Sequence, residues 1–463
     1  MAHKRTFYAV LATLLVVGMF LTFYGKKYFG LQKNLSVSSS FMADTSLVLK
    51  EIKSPAGYPI WLAPADIPVV TVGITFLGAG QRCSYKTPGL VELLISMLDE
   101  GAGPYNSQAF KTQLLEKNIQ LSMTANQDNI VVTFRTPKSN VKSAFDLLHY
   151  VLTAPRFETS DMVRVKQQLG SSWEQSLHYP EPVGQEAMQT FMLGENHPYS
   201  LKTTQRIDSL PHITADELRQ YMRKHFTQSS VRVVVAGDIA ENELIEYIDK
   251  TFCDLTNKSD PSPTKSTSFQ NLGKIQRIEM DVPQSALYFA QPSFNRHDPD
   301  FYAWVIVSRI LGNTFKSRLW DEVREKRGLA YFCSTNLVSN DLVEALTGTT
   351  ATKTETVQET IDIIKEEWQK LADHGITEEE LQFHKKNALG SYALNFGSTA
   401  EIVSVLLGYC QLGFPLSAVN ERNKKIYALT VQDVNRVIRQ YLKPNELVFV
   451  VVGRSAPKPP YKS

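Results

Sequence analysis

Nine histidines are scattered along the chain, and none stands in an H-x-x-E-H or H-E-x-x-H arrangement. Two histidines four apart on one helical face, with a glutamate between them, bind zinc and activate water. That motif is absent here. Glu92, Ser96 and Asp99 recur at i, i+4 and i+7 within LVELLISMLDEGAG, so a helix places them on one face. Leu90, Leu94, Met97 and Leu98 form an apolar stripe on another. Serine is a poor metal ligand and two carboxylates alone are too few, so an amphipathic core helix is the simpler reading. Arg324 and Tyr331 lie seven residues apart in KSRLWDEVREKRGLAY, a fixed charge and a directed hydroxyl in one short stretch. Taken singly, they read as a charge near a helix C-terminus and a strand aromatic. Cys83, Cys253, Cys333 and Cys410 show no C-x-x-C spacing, which excludes a zinc ribbon or thioredoxin-type motif. They read as small, mostly buried hydrophobes, with a disulfide open only in an oxidising compartment.

These residues need elements to hold them. Thr87-Pro88-Gly89 opens the first helix: Thr87 can cap it, Pro88 suits its first position, and Gly101 suits its end. Arg324 falls in the last turn of a second helix that Gly328 ends, and Tyr331 opens a strand. This helix–turn–strand corner can aim both side chains at one point. Residues 257–273, NKSDPSPTKSTSFQNLG, lack apolar periodicity and read as a linker. They separate an N-terminal lobe, 42–256, from a C-terminal lobe, 274–460, of about 200 residues each. The two share an order of elements, which predicts an internal repeat. Val69–Phe76 and Ser285–Ala290 open them as strands. Val231–Gly237 and Leu447–Gly453 close them, each after a helix introduced by a threonine, Thr214 or Thr430. Mixed runs of strands and helices predict an α+β fold of two homologous lobes, each a mixed, mostly antiparallel sheet flanked by helices.

The chain has 463 residues, 43% hydrophobic and 21% charged, with 49 basic and 47 acidic side chains giving a net charge of +2. This is ordinary globular composition, and it gives no reason to expect a nucleic-acid partner. Lys4 and Arg5 precede an apolar run over residues 7–24, and Lys26 and Lys27 follow it. Such a run spans about 27 Å as a helix, enough for a bilayer core. No A-x-A-like site follows, which favours an uncleaved anchor over a cleaved signal and secreted body. The short N-terminal tail favours a body outside the cytoplasm, and residues 25–41 suit a tether.

On the residues of the Lys316–Tyr331 stretch, the chain resembles the pitrilysin or insulinase-type (inverzincin) family of zinc peptidases, in its bacterial, mitochondrial-processing-peptidase-like branch. The match is to the family's S-R-L…L-R-E-x-x-G-L-x-Y segment. His197-Pro-Tyr199, Val235-Ala-Gly-Asp238 and Tyr441-Leu-Lys-Pro444 match further structural stretches, which makes His197 a packing or turn residue. Together the matches run over roughly residues 45–455. Active members carry H-x-x-E-H on the first helix. Alignment on Gly89 and Met97-Leu98 puts Glu92, Ile95 and Ser96 at its three positions. The family's third ligand, a glutamate about 75 residues on, falls at Ser172 or Glu174. The Asn-Ala of the substrate-binding edge strand is replaced by Ser122-Met123. The resemblance therefore implies no metal or other cofactor in this chain. It also implies roles for Arg324 and Tyr331: in the family the pair faces the zinc across a cleft, binds substrate backbone and stabilises the oxyanion. Some members are heterodimers in which one chain holds zinc and the other lends this pair. The expected partner is thus a zinc-bearing homologous subunit acting on peptides, and the expected site is an inner membrane with the body in a bacterial periplasm. A catalytically silent binding or scaffold protein is the alternative, with a self-sufficient peptidase a third reading.

Overall fold

A computed structural model describes residues 47–256 and 267–454; the apolar run at 7–24, the tether to residue 41 and most of the 257–273 linker lie outside the described residues. From Val48 on, the chain forms one unit built around two sheets. The first contains β1 (Lys50–Lys53), β2 (Pro59–Pro64), β3 (Val69–Phe76), β6 (Gln120–Ala125), β7 (Ile130–Pro137) and β8 (Val231–Gly237), while β4 (Gly101–Ala102) and β5 (Tyr105–Asn106) pair apart from it. Its strand order is β1-β2-β8-β3-β7-β6. The second contains β9 (Ile275–Glu279), β10 (Ser285–Pro292), β11 (Cys333–Ser339), β12 (Glu344–Thr352) and β13 (Val448–Gly453), in the order β11-β12-β10-β13-β9.

Five strands of the first sheet, β2-β8-β3-β7-β6, match β9-β13-β10-β12-β11 of the second in order, and β1 has no counterpart. β2/β8 and β9/β13 are parallel, and every other pair in both sheets is antiparallel. The fold is α+β with two homologous lobes, and β3, β8, β10 and β13 occupy equivalent central places. The threonine-capped helices are equivalent too. Thr214 accepts from the Glu217 N–H and Thr430 from the Asp433 N–H, and each acidic side chain reaches back to its threonine. Central strands such as VVTVGITF are buried on both faces, so they read as unbroken apolar runs rather than as an alternation.

The lobes exchange helices. Helix Thr399–Gln411 of the C-terminal lobe lies across β3 and β8 of the first sheet. A Cβ at Gly73 would come within 2.6 Å of both Leu407 and Val403, so glycine is what lets that helix approach. Reciprocally, helix Pro180–Leu193 covers β10 and β13. There the glycine is on the helix: a Cβ at Gly184 would come within 2.1 Å of the Tyr288 ring. The strands of the two sheets fall within residues 50–237 and 275–453, and a helix covering each sheet comes from the other side of the linker.

A charged network joins the lobes at their centre. Arg82 bridges Asp128 and Asp341 at 2.8 Å each. Tyr199 donates its hydroxyl to Asp128 at 2.5 Å, and the Asp341 N–H donates to the same carboxylate at 2.9 Å. Arg296 reaches Asp341 at 3.3 Å. Burial and the neighbouring Asp341 push the Asp128 carboxyl above its usual range, while Tyr199 and Arg82 oppose the rise.

Candidate functional site

The helix at the metal position spans Leu90–Met97. It starts two residues later than the sequence suggests: Gly89, at φ 89°, is its N-cap and no side chain caps it, so Thr87 does not serve. Gly101 is not its end either, but part of β4. Nor is the helix apolar on a single stripe. Leu90, Val91, Leu93, Leu94 and Met97 are all buried, because helix Thr159–Ser176 packs over it.

The metal positions hold other interactions. Glu92 faces Arg206, 3.2 Å from its Nε, with both side chains more than four-fifths buried. Ile95 packs half-buried against the N-terminal core. Ser172 and Glu174 are exposed, so neither turns inward. The side chain that does is Trp173, whose ring abuts Gly89 closely enough that a Cβ there would meet it at 2.9 Å. A carboxylate, an aliphatic chain and a hydroxyl beside a guanidinium do not fit zinc. The Arg206 cation supplies the positive charge that a buried Glu92 needs, and it repels a second one.

Ser122 and Met123 lie on β6, the free edge of the first sheet, where they pair with Thr133 and Val132 of β7. A groove of about 590 Å³ runs between this edge and helix Thr399–Gln411, lined by Ser122, Thr124, Val403 and Leu407 among others. His197 is a turn residue. Its Nδ1 accepts from the Tyr199 N–H at 3.1 Å, which leaves Nε2 to donate to Thr267 Oγ1 at 2.8 Å.

The Arg324–Tyr331 corner is built differently. Trp320–Lys326 is a π-helical segment, a distortion found often at functional sites. Leu319, Val323, Ala330 and Cys333 are buried beneath it. Glu322 ties Lys326 and Arg327 together, and Gly328 turns the chain at φ 61°. Arg324 remains at the surface, its guanidinium 4.0 Å from the Trp320 ring, which Phe315 meets edge-on. Tyr331 is 80% exposed and precedes the strand, which begins at Cys333. No hydrogen bond or ring contact joins Arg324 to Tyr331 among the described residues. The corner therefore presents both side chains outward rather than converging them within this chain. The charged network around Asp128 was not legible in sequence, since Arg82, Asp128, Tyr199 and Asp341 share no spacing pattern.

Two homologous sheet-and-helix lobes, with a plugged metal position in one and an exposed Arg–Tyr corner in the other, define a peptidase-type scaffold without its metal ligands. Comparison with known proteins agrees. Residues 65–199 match the family model described as Insulinase (Peptidase family M16), and residues 212–388 match the one described as Peptidase M16 inactive domain. The chain belongs to the M16 peptidase family. It is 23% identical over 390 residues to a non-peptidase homolog, YmxG, of Helicobacter pylori, covering 84% of this chain and 89% of that protein. It is 20% identical over 419 residues to a mitochondrial-processing peptidase subunit beta of Dictyostelium discoideum, covering 85% and 86%. A crystal structure of a peptidase M16 inactive domain from Pseudomonas fluorescens superposes with a TM-score of 0.83 at 23% identity, covering 89% of this chain and all of that one.

Proposed function

We propose that this chain is the non-catalytic subunit of a two-subunit zinc peptidase and lends Arg324 and Tyr331 to a partner's metal site. The observation that carries this reading is the contrast between the two lobes. Where the metal would sit, Arg206 and Trp173 fill the space around the helix. Where the Arg–Tyr pair sits, a buried frame holds an exposed Tyr331 and a surface Arg324 that stacks on Trp320 and lies 3.8 Å from Glu325, both on its own segment.

In the assembly the partner's H-x-x-E-H helix would hold zinc, which would supply a Lewis acid for the scissile carbonyl and an activated water. Arg324 and Tyr331 close over the peptide from the opposite side. As the tetrahedral intermediate forms, the guanidinium and the phenolic hydroxyl donate to the developing oxyanion and hold the peptide backbone. Trp320 beneath Arg324 limits the orientations of its guanidinium.

A second reading draws on the relative named a non-peptidase: a scaffold that binds peptides or proteins without chemistry. Mixing separates the two. Cleavage of a short unfolded peptide only when this chain and an H-x-x-E-H homologue are combined supports the lending subunit. No cleavage in any combination supports the scaffold, and cleavage by this chain alone overturns both.

Residues 7–24 are proposed to hold the chain in the inner membrane, with its body in a Gram-negative periplasm. Recovery of the body in the soluble fraction, with a new N-terminus near residue 25, would show cleavage instead. Among the described residues no single helix is long and apolar enough to cross a membrane.

A further inference from the structure

Helices Val141–Thr153 and Glu241–Thr251 pack side by side in the N-terminal lobe. At the C-terminal end of the second, His149, Cys253 and Asp254 converge: each offers a donor atom, and the three lie within 4.8 Å of one another. We propose that these three side chains form a binding site for a divalent transition ion of the zinc class, separate from the family's metal position.

The donor set is the first reason. An imidazole, a thiol and a carboxylate are the three side-chain types that zinc accepts, and three protein ligands leave a fourth position open to water. Bonds of about 2.0–2.3 Å in a tetrahedron put ligand atoms roughly 3.3–3.8 Å apart. The three donors need to close by only about 1 Å, and Cys253 and Asp254 are exposed.

The second reason is how His149 is held. Its Nδ1 lies 3.1 Å from the Thr251 carbonyl oxygen. Donation of Nδ1–H to that carbonyl fixes the tautomer whose lone pair is on Nε2 and orients the ring, as outer contacts of metal-bound histidines do. The third is the local field. The helix Glu241–Thr251 ends here, and its last carbonyls carry partial negative charge that favours a cation. Asp254 also borders a cleft of about 420 Å³ that opens a path from solvent. Arg219 and Arg223 on the wall of that cleft oppose a bare cation, so the affinity is modest.

Burial and Asp254 push the Cys253 thiol above its ordinary value, so it enters the reaction protonated. Binding exchanges the thiol proton for a sulfur–metal bond, with release of H⁺ to buffer. Neither oxidant nor reductant takes part.

The test uses the full chain, chelator-stripped and reduced, titrated with Co²⁺. One equivalent should bind with a sulfur-to-cobalt charge-transfer absorption, and Zn²⁺ should displace it. His149→Gln should weaken binding by more than about tenfold, and Cys253→Ser should abolish the absorption. Zn²⁺ should also slow alkylation of Cys253 in the unmodified chain, a readout that needs no variant to fold. Absence of the absorption, lack of protection against alkylation, or tight binding that survives in folded Cys253→Ser would each overturn the site. The Cys253→Ser chain also reads the Glu92 helix in isolation, where no tight zinc is expected.

Discussion

At the scale of single residues, the two candidate positions differ in what holds them. Arg324 and Tyr331 project from a frame they do not support. Replacing Arg324 by Ala or Tyr331 by Phe should therefore leave folding and subunit association intact. Peptide turnover by the reconstituted pair should fall by on the order of 100- to 1000-fold, mostly in kcat, because oxyanion contacts strengthen in the transition state. Steady-state kinetics with each variant checks this, and unchanged turnover in both would promote the scaffold reading. Glu92 behaves in the opposite way. It faces a buried arginine. Glu92→Ala strands Arg206 without its counter-charge and should cost roughly 3–5 kcal/mol of stability. Denaturant melts of the variant and of the Glu92→Ala/Arg206→Met double variant test it, and the double variant should recover part of the loss.

At the scale of elements, helix Glu378–Ala393 carries a buried histidine into the C-terminal core. Burial holds His384 down to about 4, against a partial opposing pull from Glu380. Its folded value lies below its unfolded one, so the unfolded chain takes up a proton first as pH falls. Above about pH 6.5 the residue is neutral in both states and has no pH effect. Between about 6.5 and 4 stability declines, by on the order of 3 kcal/mol in all, and below 4 this contribution levels off. Unfolding midpoints measured from pH 7 to pH 4 should show this slope, and His384→Gln should flatten it. An unchanged slope in the variant would assign the acid sensitivity elsewhere, for instance to carboxylates held low by ion pairs such as Glu322 and Asp300.

At the scale of the whole molecule, the exchanged helices and the Arg82 network bind the lobes into one cooperative body. Residues 48–256 expressed alone would leave β3 and β8 without helix Thr399–Gln411 and would leave helix Pro180–Leu193 with no sheet to cover. That fragment should aggregate or remain molten, while co-expression with residues 267–463 should restore a folded complex. A sharp independent transition from the isolated fragment would refute the coupling.

What the amino-acid sequence determined was whatever depends on local pattern. Val-rich runs, threonine caps and the S-R-L…G-L-x-Y stretch each lie within about twenty residues, so the α+β repeat and the family were readable from order alone. The lost metal motif was readable as well, since its ligands recur at helical spacing. What filled the vacated place was not. Arg206 and Trp173 reach Glu92 and Gly89 only once separate helices pack, and no spacing rule links residues more than 80 apart. The start of the Leu90–Met97 helix shifted for a similar reason: Gly89 sits tight against Trp173 in a left-handed conformation that local capping preferences cannot foresee. Tertiary packing also decided that each sheet is covered by a helix from the opposite lobe. A helix carries its apolar stripe in its sequence, but which sheet buries that stripe depends on which glycine lets it come close.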